Sequence, residues 1–79
     1  MDNYIKLSSL KIGESGIIDS LENRGMMRRR LIDLGFAKGS EAACVGVAPL
    51  GDPKAYLIKG TVIALREEDS SKINVEKCE

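Results

Sequence analysis

From Gly35 to its end, the chain carries only short apolar runs, each cut by a turn signal, which points to brief antiparallel strands joined by tight turns. Glu41-Ala42-Ala43-Cys44-Val45-Gly46-Val47 lies between Lys38-Gly39-Ser40 and the Pro/Gly-rich stretch Ala48-Pro49-Leu50-Gly51-Asp52-Pro53. Ala55 to Ile58 reads as the next strand, Lys59-Gly60-Thr61 as its turn, and Val62 to Leu65 as the return. The polar segment Glu67 to Lys72 allows one helical turn, and Ile73-Asn74-Val75 ends the pattern as a last short strand.

Upstream, Leu7-Ser8-Ser9-Leu10 and Lys11-Ile12-Gly13-Glu14-Ser15-Gly16 read as a turn leading into a strand over Ile17 to Leu21. A short helix follows from about Met26 to Leu34. Met27, Leu31 and Leu34 stand at i, i+4 and i+7 and share one face. Asn23 is placed to cap the start, and Gly35 to end the helix in a left-handed conformation. In the strand after it, Ala43, Val45 and Val47 share one face, and the small residues Ala42, Cys44 and Gly46 share the other. Small side chains suit a tightly curved strand whose backbone neighbours approach closely. The expected fold is mainly β: a small barrel of about five short antiparallel strands, with the helix inserted after the first. Closure removes exposed edges. At 79 residues the chain, 1–79, is expected to form a single domain.

A domain of this size buries only about 60% of the surface its unfolded chain exposes, leaving little chain for a deep catalytic cleft. Histidine is absent, so no ready proton shuttle exists near neutral pH. The carboxylates fall in turns and near the C-terminal end. Cys44 as a nucleophile would have only lysine or carboxylate as base, and reads as a core thiol. Cys78 reads as a free thiol, and a disulfide between the two would be unusual in a reducing compartment. No enzyme, catalytic residue or cofactor is expected. Cys44, Cys78, Met26 and Met27 lack metal-ligand spacing, and Glu67-Glu68-Asp69 reads as a solvated turn, so no metal site is expected either.

Lys+Arg and Asp+Glu are equal at 12 each, which gives no general attraction to nucleic acid. Of the aromatic residues Tyr4, Phe36 and Tyr56, Phe36 reads as core, so a base-stacking platform is lacking. No apolar run approaches the roughly 20 residues of a membrane span. The opening Met1-Asp2-Asn3-Tyr4-Ile5-Lys6 lacks the basic start and apolar block of a secretory signal, and the cytoplasm is the expected location.

Two segments stand out as candidate contact surfaces. Arg28-Arg29-Arg30, with Arg24 nearby, offers a basic patch for an acidic partner or a phosphate backbone; the alternative is a solvated helix face. Arg29 and Asp33 are i,i+4 neighbours. In Pro49-Leu50-Gly51-Asp52-Pro53 the prolines stiffen a loop that holds Leu50 at its tip, and Gly51 permits an unusual backbone angle. Such a loop loses little entropy on docking. The alternative places Leu50 back over the barrel as a lid. Pro49, Leu50, Gly51, Asp52, Pro53, Arg28 and Arg29 are the candidate partner-binding residues.

The ordered set Arg29-Arg30-Leu31, Asp33-Leu34-Gly35-Phe36, Gly39, Ala48 to Pro53, Gly60, Ala64-Leu65-Arg66, Ile73 and Val75 resembles the FeoA family. That family is the small cytoplasmic component of bacterial ferrous-iron uptake. The opening Leu7-Ser8, Leu10, Gly13, Gly16 and Ile18 is similar as well, so the likeness runs from about Leu7 to Val75. Lys38, where the family often has proline, and Ser70, where alanine often stands, depart from it. The resemblance implies an SH3-like barrel and a partner, the FeoB membrane iron transporter with its cytosolic GTP-binding region. Membrane contact would then come only through that partner, with the chain itself a monomer or weak homo-oligomer. The alternative functions are a small-barrel nucleic-acid-binding protein, or a stand-alone metal-responsive regulatory domain of the DtxR C-terminal type.

Overall fold

The computed structural model describes residues 3–78, so Met1 and Asp2 of the opening segment lie outside the described residues. Six strands form one sheet: β1 (Tyr4–Lys6), β2 (Ser15–Leu21), β3 (Glu41–Val47), β4 (Lys54–Ile58), β5 (Thr61–Leu65) and β6 (Ile73–Lys77). Helix α1 (Gly25–Leu34) follows β2, and the single turn α2 (Glu67–Ser70) separates β5 from β6. The spatial order is β1-β6-β2-β3-β4-β5, every neighbouring pair antiparallel.

The sheet has one strand more than the expected five, and the helix therefore follows the second strand. The added strand β1 pairs Tyr4 with Glu76, Ile5 with Val75 and Lys6 with Asn74. Three residues are too few to show alternation, so only the pairing with β6 reveals this strand.

Curvature decides which face of β3 turns inward. Ala42 and Cys44 are fully buried, whereas Val45 and Val47 are exposed. Opposite them Tyr56 and Ile58 of β4 fill the interior, with Ile18, Ile73 and Val75 of β2 and β6. The large side chains of β4 leave room for only small ones on β3. The register shifts between Cys44 and Gly46, a bulge that leaves Val45 as the extra residue.

Helix α1 seals one end of this core with Leu31, which is buried, and Met27, which packs against it. Leu34, expected on the same face, is turned out instead. The cause is the helix stop: Gly35 has φ 113°, its N–H donates to the Ile32 carbonyl at 3.0 Å, and the Phe36 N–H donates to the Leu31 carbonyl at 2.9 Å. This paired closure swings Phe36 into the core in place of Leu34. The start also differs, because Arg24 and not Asn23 occupies the capping position, with no side-chain cap bond. Asn23 is buried, and its Nδ2 donates to the Asp69 carbonyl at 3.0 Å.

Lys54 closes the other end, its Nζ donating to the carbonyls of Ser8 (2.7 Å) and Leu10 (3.2 Å). Lys54→Met keeps the stem and removes both bonds, and is expected to cost about 1–3 kcal/mol in chemical denaturation. Acid should also weaken the fold. The carboxyl of Glu14 is held below its ordinary value of 4.5 by its bond to Lys77, helped by the Lys11 amide. Glu22 is lowered by Asn74 and then by Lys6. A depressed carboxylate stabilises the fold above its unfolded pKa and loses that contribution as pH falls through the folded value. Stability should therefore decline below about pH 4.5, and Glu14→Gln with Glu22→Gln should flatten that decline in melts at graded pH.

Candidate partner-binding surface

The loop between β3 and β4 is fixed by backbone bonds. The Gly51 N–H donates to the Ala48 carbonyl at 2.8 Å, closing a turn with Pro49 and Leu50 at its centre. The Ala48 N–H donates to the Pro53 carbonyl at 3.0 Å across the neck. Gly51 has φ 91°, and the Asp52–Pro53 peptide is cis. Leu50 stands 97% exposed at the tip, so the lid arrangement is not adopted.

Asp52 faces the fold. Its Oδ1 accepts the N–H of Glu67 at 2.8 Å, capping the start of α2, which has no cap from its own neighbouring side chain. Asp52 is thus a positioning residue for the loop. Asp52→Ala should cost about 1 kcal/mol and speed hydrogen exchange at the Glu67 amide. At the other end of α2, the Asp69 carbonyl takes the bond from Asn23, two residues before α1. One helical turn therefore ties the Leu50 loop to the root of the Arg-rich helix. Sequence reading missed this link because neither Asn23 nor Asp52 lies near α2 in the chain.

The arginines divide by geometry. Nη1 of Arg28 donates to the Leu21 carbonyl at 2.6 Å, fastening the helix to the end of β2. Arg29 and Arg30 are exposed beside Met26, Met27 and Asp33 in a shallow depression on α1. Among the described residues the ion pairs are Lys6–Glu22 (3.4 Å) and Lys77–Glu14 (2.8 Å), so Arg29 and Asp33 do not pair. Met26 is 86% exposed, which adds an apolar element to this basic surface.

Phe36 and Tyr56 are both core, leaving Tyr4 as the exposed aromatic. The Tyr56 phenol is pushed up from its ordinary value, chiefly by burial. Cys44 is buried with its Sγ 3.8 Å from the Gly46 carbonyl, and Cys78 is a half-buried free thiol. No group of three metal-ligating side chains occurs among the described residues, and no described helix is long and apolar enough to cross a membrane.

A curled six-stranded sheet with one helix and a rigid exposed loop defines a small SH3-like protein. A family model for the FeoA domain matches residues 5–77. The chain belongs to the FeoA family, which is linked to ferrous iron transport. A fusion of Fe(2+) transport protein A with the Fe(2+) transporter FeoB from Porphyromonas gingivalis is 40% identical over 72 residues. That match takes in 91% of this chain and 8% of the fusion protein, so the chain spans a small fraction of that relative. The solution structure of FeoA from Chlorobium tepidum is 35% identical with a TM-score of 0.86, over 91% of this chain and 69% of the other. Zinc-complexed FeoA from Stenotrophomonas maltophilia is 30% identical with a TM-score of 0.81, covering 91% and 89%. It is described as a procaryotic SH3 domain protein with a suggested role as a ferrous iron transport activating factor.

Proposed function

We propose that this chain is a non-enzymatic accessory protein of ferrous iron transport that binds a FeoB-type transporter on its cytosolic side and modulates it. The observation that carries this reading is the fusion relative, in which a segment similar to the whole matched region is joined to FeoB in one polypeptide. Fusion keeps two modules at high effective concentration, an arrangement that serves a contact made repeatedly.

The contact residues in this reading are the loop Pro49 to Pro53, with Leu50 as its apolar anchor, and Arg28 and Arg29 of α1. An anchor on a rigid support needs no ordering when it docks, and this favours affinity. Arg29 supplies charge complementarity, which acts on association rate and specificity more than on affinity. Arg28, already bonded to Leu21, contributes mainly by fixing the helix. The tagged chain is expected to retain the transporter from detergent-solubilised membranes of a cell that makes both. A folded chain that retains none would overturn the reading.

A further inference from the structure

Strand β5 is an edge of the sheet, and its geometry is suited to pairing with a second copy of itself. The Lys59-Gly60 turn joins Ile58 to Thr61, both turn residues having positive φ. In such a two-residue hairpin the flanking pair is hydrogen-bonded, and bonded pairs then alternate along the ladder. Thr61, Ile63 and Leu65 therefore turn their peptide groups toward β4, while Val62 and Ala64 turn theirs outward. Among the described residues no backbone hydrogen bond engages residues 61–65 outside the β4 ladder. Val62 is 61% exposed and Ala64 is exposed, so this edge is open.

Nothing on the edge blocks pairing. Charged side chains, proline and bulges are the usual guards of a free edge, and Thr61-Val62-Ile63-Ala64-Leu65 has none of them. The outer face behind it is apolar too, with Ala43, Leu57 and Val62 in register across three strands.

We propose that β5 pairs antiparallel with β5 of a second copy, about a two-fold axis at Ile63. In that register Val62 of each copy faces Ala64 of the other, and the outward N–H and C=O groups of both residues exchange hydrogen bonds. Charge selects the same arrangement. Antiparallel pairing sets the turn end of each strand, with exposed Lys59, near the end of the other strand that leads into Glu67 and α2. The segment Arg66 to Asp69 carries three carboxylates against one cation, so the match occurs twice by symmetry. The contact is a strand edge, well below the roughly 1,200 Å² of standard interfaces, so the dimer is weak, with Kd on the order of 0.1–1 mM.

The test is sedimentation equilibrium of the full chain across that range, in reducing buffer so that Cys78 cannot crosslink. The expected result is a monomer–dimer equilibrium that weakens with added salt. Val62→Pro removes an outward N–H without touching the β4 ladder, and should lower association about tenfold or more. Lys59→Glu should weaken it, and Lys59→Glu with Glu67→Lys should restore it, which a merely misfolded variant would not do. A wild-type chain that stays monomeric to about 1 mM would overturn the proposal, as would a Val62→Pro variant that dimerises like wild type. A chain monomeric throughout that instead takes up an added partner strand, sensitive to Val62→Pro, would assign the edge to that partner. Transporter binding enters none of these readouts.

Discussion

Leu50→Asp should lower transporter binding by about thirtyfold or more while leaving the melting temperature within about 1 °C of wild type. The second half of this expectation follows from exposure. A side chain 97% in solvent packs against nothing, and the loop around it is held by backbone bonds and by Asp52, none of which involve the Leu50 side chain. The first half follows from the proposed burial of Leu50 against the transporter. An apolar anchor at the tip of a rigid loop is the part of the surface that a partner desolvates most completely. A carboxylate there must either keep its water and hold the surfaces apart, or be buried unpaired at a cost of several kcal/mol. Leu50→Ala loses only apolar area and should fall between the two. Titration calorimetry with thermal melts checks both halves.

A large effect on stability is expected at Gly16, from a substitution as small as one methyl group. Gly16 lies in β2 opposite Lys77 of β6, and a Cβ there would stand 2.8 Å from Cγ2 and 3.0 Å from Cβ of Val75. The Glu76 carbonyl oxygen would be 3.1 Å away. Neither is a flexible side-chain end that could swing clear: Val75 is fully buried and its branched side chain is stiff, and the carbonyl belongs to the ladder. The sheet must part locally, at about 1–3 kcal/mol for Gly16→Ala. In a domain of this size that lowers the melting temperature by about 4–8 °C per kcal/mol. Val75→Ala costs stability of its own, so the double variant should lose less than the sum of the two single losses, which separates a steric clash from a backbone propensity effect.

Much of this fold was legible in the residue pattern, and the misses share one cause. The helix end at Gly35, the strands after it and the turns between them are local signals carried by glycine, proline and β-branched runs. What failed depends on tertiary partners. β1 is a strand because β6 lies beside it, and Leu34 faces solvent because Phe36, beyond the helix stop, takes the inner position. Asn23 reads locally as a cap and in fact bonds α2, 46 residues away. Whether Leu50 stands out or folds back as a lid is an even choice in the sequence, which the structure resolves. The division between Arg28, tied to Leu21, and Arg29, left in solvent, could not be read from a run of identical residues.

In the proposed function, the Leu50 loop together with Arg28 and Arg29 of α1 docks the transporter. The most direct test of this docking is amide chemical-shift mapping of the isotope-labelled chain, titrated with the cytosolic GTP-binding region of a FeoB-type transporter. Saturable shifts are expected at residues 48–53, 28 and 29, with the β5 edge unaffected. Saturable binding whose shifts lie elsewhere, with residues 48–53 silent, would contradict this docking.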